Sequence, residues 1–242
     1  MKNKHLFICM VMGTVTIVLC SSFFTPTHTL DVDQSFFSQR GQERIQSIMQ
    51  SLHCSSRGYS NAFAVVDEYV PAVGALDVFM LANGERHVVV ETKKPATLCV
   101  QPNGLVSSVL FADGALCDQS LLTPTLCASL PQVTTPASFA TLSPKSDRLL
   151  FAAWVSNSSV DDHMCSWIDK TCITLTPKNN QYQLWCTHTT SMQLLHEAIE
   201  LMRSRVDDVQ TNKKRQQVKP VVDLRIPHTI IVKNKPKGWV VV

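Results

Sequence analysis

At 242 residues, with 45% hydrophobic and 17% charged side chains, the chain has the balance of a folded protein and not of a disordered one. Its length admits one large domain or two small ones, and a formal net charge of +3 is too small to argue for nucleic acid. The positive charge is concentrated between Arg203 and Lys237, ten Lys or Arg against three Asp, without interleaved aromatics; this favours a solvated helix face and spacer over a stacking nucleic-acid surface.

At the start of the chain, MKNKH (1–5) places Lys2 and Lys4 ahead of LFICMVMGTVTIVLCSSFF (6–24), a run with no charged residue. Nineteen helical residues cover about 28 Å, enough to cross the hydrocarbon core of a bilayer. Lysine favours the cytoplasmic side, so the reading is a short cytoplasmic tail at 1–5, one transmembrane helix at 6–24 and an exported remainder. The competing reading is a cleaved signal peptide, for which Leu19-Cys20-Ser21 and Cys20-Ser21-Ser22 offer only mediocre cleavage sites.

After Pro26, THTLDVD reads as a short strand. In QERIQSIMQSLHC, Ile45, Ile48, Met49 and Leu52 recur at i, i+3, i+4 and i+7, one stripe of an amphipathic helix. NAFAVVDEYV forms a second helix that Pro71 and Gly74 stop. LDVFMLANGERHVVVETKKP is a hairpin about Asn83-Gly84. Residues 27–95 therefore form a strand–helix–helix–hairpin unit.

From residue 96 to 234 the chain reads mainly as strand. TLCVQ and LVSSVLF turn at Pro102-Asn103-Gly104, and a further turn follows at Asp113-Gly114, which points to an antiparallel sheet. The proline-rich SLPQVTTPASFATLSPKS reads as a cover over a sheet edge, and Ser146 as the cap of a short helix through DRLLFAAWV. CSWIDKTCITLTP and QYQLWCTHT are strands about the turn Lys178-Asn179-Asn180. MQLLHEAIELMRSRVDDV carries a long apolar stripe, Leu195, Ala198, Ile199, Met202, Val206 and Val209. A basic spacer then leads to VVDLRIPHTIIVKN (221–234), read as one terminal strand, and to a tail at 235–242. The fold class is α+β.

Seven of the nine cysteines lie in the exported part, where disulfides persist. At least one bridge is expected, either among Cys165, Cys172 and Cys186 or between Cys117 and Cys127. No phosphate loop, dinucleotide fingerprint, nucleophile elbow or zincin motif occurs. His163-Met-Cys165, Cys172 and Cys186-Thr-His188 offer soft ligands at strand spacing, but they match no compact zinc module, and the expectation is no metal and no cofactor.

In order, the pieces are a basic tail, a membrane helix, a small βααββ unit, a β-rich domain, a long amphipathic helix and a last strand. This order resembles the bacterial cell-division FtsQ/DivIB family, whose exported part is a POTRA domain followed by a β-domain. LANGERHVVVETKKPATLCV resembles the junction between those domains. LVSSVLFADGALCDQSLLTPTLCASLPQV resembles a family segment ending in Leu-Pro, here Leu130-Pro131. VVDLRIPHTIIVK is the closest match, to the terminal Val-Asp-Leu-Arg strand. The resemblance implies a non-enzymatic, single-pass scaffold of the cell inner membrane. It also implies FtsB/FtsL-like partners that add a strand along the free outer edge of the terminal strand, touching Arg225, Ile226, His228, Thr229, Ile230, Ile231 and Val232. Pro227, which lacks an N–H, suits such an edge. The competing functions are a processed, secreted or surface β-rich binding protein, and an exported metal enzyme using the His/Cys cluster.

Overall fold

The computed structural model describes residues 28–53, 61–82, 85–102, 107–158, 162–210, 219–234 and 238–241. The expected membrane span at 6–24 lies outside them; among the described residues no helix is long and apolar enough to cross a membrane. The architecture is α+β, with one small sheet and one large one.

The small unit runs β1 (His28–Val32), α1 (Gln39–His53), α2 (Ala62–Tyr69), β2 (Val73–Met80) and β3 (Arg86–Thr92). Its sheet order is β1-β3-β2, with β1 parallel to β3 and β2 antiparallel to it. The helical stripe behaves as its period requires: Ile45, Ile48 and Met49 are buried with Val66 of α2 and Val73, Val88 and Val90 of the sheet. Ser38 starts α1, because its hydroxyl accepts the Gly41 N–H at 3.2 Å.

Among the described residues the large sheet has ten strands: β4 (Pro95–Val100), β5 (Ser107–Phe111), β6 (Leu116–Asp118), β7 (Gln132–Thr134), β8 (His163–Asp169), β9 (Cys172–Pro177), β10 (Gln183–Cys186), β11 (Val221–Asp223), β12 (Ile231–Asn234) and β13 (Gly238–Val241). Between them lie α3 (Pro124–Ser129), α4 (Phe139–Leu142), α5 (Lys145–Asn157) and α6 (Met192–Gln210). Their spatial order is β13-β12-β11-β10-β9-β8-β7-β4-β5-β6.

Three expectations need correction. The sheet is mixed, because β4/β7, β7/β8 and β10/β11 are parallel pairs. Parallel neighbours need a crossover, and α3, α4 with α5, and α6 supply one each. The proline-rich stretch does not cover an edge, since its residues 132–134 form β7 in the middle of the sheet. Ser146 does not cap α5: the helix starts at Lys145 after Pro144, with no side-chain cap.

One row across the sheet, Val133, Cys165, Leu175, Leu184, Val222 and Val232, is buried against α5 and α6. Phe151 and Trp167 meet edge to face within that core, their ring centroids 4.7 Å apart. At the β4–β5 end both faces are covered. Cys99 and Leu110 join the core with α5, while their chain neighbours Leu98 and Val109 join the core built on α1 and α2. At the β8 end the second face is open, and Met164 and Ile168 on it are 53% and 54% exposed.

The small unit and the large sheet are tied as well as co-packed. Ser38 N–H donates to the Leu121 carbonyl at 3.1 Å, and Thr123 N–H to the Phe36 carbonyl at 3.0 Å. The Ser38 hydroxyl donates to the Ser120 carbonyl and the Thr123 hydroxyl to the Ser35 carbonyl. Lys93, between β3 and β4, reaches Asp67 of α2 at 2.6 Å and Asp113 of the β5–β6 turn at 3.1 Å.

Candidate functional site: the C-terminal sheet edge

The terminal segment folds as two strands where the sequence reading has one. β11 lies parallel to β10, with Val222 opposite Leu184, and Leu224 N–H extends the pairing to the Trp185 carbonyl at 2.7 Å. The chain then turns, and β12 returns antiparallel to β11 with Val232 opposite Val222.

The break comes from side-chain chemistry at Asp223. Its carboxylate accepts the Arg225 N–H at 3.0 Å, Nε at 2.9 Å and Nη2 at 2.6 Å. Burial alone would push the Asp223 carboxyl up; the Arg225 hydrogen bonds and charge outweigh it, and the group is held below the usual carboxylate range. The same contact, chiefly the hydrogen bond to Asp223, raises the guanidinium of Arg225. That guanidinium lies 5.0 Å from the centre of the Trp185 ring. His228 closes the turn in the left-handed region, at φ 57°.

The expected free edge is the main correction. β13 pairs antiparallel with β12 through Ile231–Val241, Val232–Val240, Lys233–Trp239 and Asn234–Gly238. The outer side of residues 231–234 is therefore filled by the chain's own residues 238–241, which the sequence reading leaves in a tail. Of the expected partner contacts, Arg225 is engaged with Asp223 and Trp185. Ile226 and His228 are exposed in the turn, Thr229 and Ile230 are half-buried, and Ile230 packs on the main core. Only Ile231 and Val232 belong to the strand, and the Val232 side chain, 1% exposed, is a core residue and no partner contact.

The cysteines are also placed. Cys99, Cys117, Cys127, Cys165, Cys172 and Cys186 are free thiols, and no disulfide joins them. The sheet explains why the expected group cannot bridge. Cys165 on β8 and Cys186 on β10 have β9 between them, so they are about 9–10 Å apart across the strands alone. A disulfide allows roughly 7 Å between Cα atoms. Cys172 alternates with Ile173 and Leu175 and faces away from Cys165 and Cys186, whose register partners are Leu175 and Ile173. Cys117 and Cys127 share the core under α1 but are unbonded. Burial pushes the thiols of Cys99, Cys117 and Cys165 up to about 12.

Among the described residues no group of three or more His, Cys, Asp or Glu is gathered in a way that could hold a metal. His163 Nε2 instead meets the Tyr182 hydroxyl at 3.2 Å. Burial, helped by the charge of Arg203, holds this imidazole below its ordinary pKa. The signal the sequence reading missed is the hairpin: two short β-branched runs, Ile230–Val232 and Val240–Val242, flank a Lys-Pro-Lys-Gly segment. No family model matches the chain, and none of the curated proteins matches it.

Proposed function

We propose that this protein is a non-enzymatic, single-pass scaffold of the bacterial cell-division machinery, of the FtsQ/DivIB kind. Its N-terminus is cytoplasmic, its bulk lies outside the inner membrane, and it recruits FtsB/FtsL-like proteins by strand addition. The recruiting surface is the β11–β13 end of the large sheet. One observation carries the reading: the strand–helix–helix–hairpin unit, with sheet order β1-β3-β2, leads into a β-rich sheet that terminates in a hairpin at its outer margin. The POTRA-plus-β-domain reading rests on that order of parts. An outermost strand offers N–H and C=O groups on one side, and an added strand satisfies them while alternate side chains supply specificity.

The test has two arms. A reporter active only in the cytoplasm, fused after Val242, should be silent, and the intact chain should co-purify with the FtsB- and FtsL-like proteins of its own cell. Proline at Ile231 or at Val232 should weaken that association in folded protein, because N–H groups of adjacent residues face opposite sides of a strand and one of the two positions therefore deprives the outer ladder of a donor. A reporter active in the cytoplasm, or no association of the intact chain with either protein, refutes the proposal.

A further inference from the structure

We infer that β13 is a placeholder in cis: it occupies the outer edge of β12 until an extended segment of a partner takes its position. This rests on the strand-addition reading above and specifies how that site is controlled.

The argument starts from the unequal attachment of the two strands. β12 is held on its inner side by β11, which is itself paired to β10, and Val232 and Ile230 fix it to the main core. Among the described residues β13 has a single neighbour, β12, and it contributes four residues to the ladder. A two-stranded pairing of that length has little stability of its own, and Gly238 at its start weakens it further. Removal of β13 therefore leaves β12 in place with its outer N–H and C=O groups unpaired. An incoming antiparallel strand restores the same hydrogen bonds, so the exchange leaves no polar group unsatisfied and its outcome is set by the side chains of the competing strands.

The register also describes the partner. It presents at least four extended residues, antiparallel to Ile231–Asn234, with β-branched residues like those of β13. Lys235 and Lys237 follow β12 in the sequence. A partner segment with acidic residues beside its strand is therefore favoured over a neutral one.

Three forms of the full chain test this in detergent: the natural protein, a version ending at Asn234, and a double variant, Lys233→Cys with Trp239→Cys, that locks the directly opposed pair by a disulfide. Hydrogen exchange on the natural protein needs no partner; the amides that join β12 to β13 should exchange at least tenfold faster than those of β9 and β10. A labelled peptide of residues 235–242 should bind the shortened chain at least tenfold more tightly than the natural one. It should bind the locked form only after reduction. Equal exchange across β9–β13, or equal peptide binding by all three forms, overturns the placeholder. The shortened chain could fail to fold, in which case exchange and the locked form decide. If the peptide behaves as expected but no FtsB- or FtsL-like protein binds the shortened chain, the placeholder stands and the division reading falls. If such a protein binds all three forms equally, the scaffold stands and the placeholder falls.

Discussion

Gly41→Ala tests whether the helical unit and the large sheet are truly one packed body. Gly41 lies in the first turns of α1, where alanine should raise helix stability by up to about 1 kcal/mol. The surroundings oppose this. A Cβ built at Gly41 stands 2.2 Å from the Leu121 carbonyl oxygen and 3.1 Å from its carbon, and both are backbone atoms that no rotamer change can move. The same carbonyl accepts the Ser38 N–H, and the neighbouring Ser120 carbonyl accepts the Ser38 hydroxyl, so relief of the clash pulls on two hydrogen bonds. Overpacking of this kind costs about 1–3 kcal/mol, and strained hydrogen bonds add about 1 kcal/mol, which together exceed the helix gain. The net expectation is a loss of about 1–3 kcal/mol, or a fall in Tm of roughly 2–10 °C for a chain of this size. Urea and thermal unfolding followed by circular dichroism measure it. A variant as stable as the natural protein, or more stable, would refute the close docking of α1 on residues 119–122, and with it the shared core.

Acid should destabilise the protein in two stages. The folded pKa of His163 lies below its ordinary 6.5, so its contribution is complete above that value and is lost as pH falls below it. Asp113 and Asp223 are likewise held below the ordinary 3.8, so their contributions are present above about pH 4 and vanish as pH falls through the lowered values. Urea titrations from pH 8 to pH 2 measure both stages, and Asp223→Asn should diminish the second; an unchanged acid limb would show that the Asp223–Arg225 pair does not bias stability. In native protein, alkylation at pH 8 should modify Cys172, the half-buried thiol, well before Cys99, Cys117 and Cys165; after denaturation without reductant, all six described cysteines should react. Any of these six that stays blocked by mass spectrometry contradicts the free-thiol state. Val232→Ala should cost about 2 kcal/mol by removing buried methyl groups, read from urea midpoints, and a neutral result would take β12 out of the core.

The helices were the legible part of this sequence, because a 3.6-residue period leaves a countable stripe. Ile45, Ile48 and Met49 on α1, and Leu195, Ala198, Ile199 and Met202 on α6, are buried as that period requires. The hairpins about Asp113-Gly114 and Lys178-Asn179-Asn180 were legible for a different reason: Gly114 and Asn180 do adopt positive φ. β7 was not legible. Three residues, Gln132–Thr134, cannot display an alternation, and their place in the sheet is fixed by β4 and β8, which are remote in sequence. The candidate site failed at a similar point. Nothing in the types of Ile226, Pro227 and His228 separates an edge strand from a turn, and the break is set by the pairing of Asp223 with Arg225 two residues later. The free edge failed because Gly238–Val241, short and behind charged residues, resembles a loose end until Ile231–Asn234 lies opposite.

The covering of β4 and β5 on both faces turns the molecule into a gauge. With only Lys93 and Lys94 between β3 and β4, and Leu98 and Cys99 seated in opposite cores, the strands near residue 28 and those near residue 240 cannot swing on a hinge. The spacing between the two ends is then a property of the folded chain and not of a linker. On the membrane-scaffold reading proposed above, an anchor ahead of β1 would set the height of the β11–β13 margin. On the strand-addition reading proposed above, a partner would have to bring its strand to that height, so the fold would select by reach before any side chain is compared.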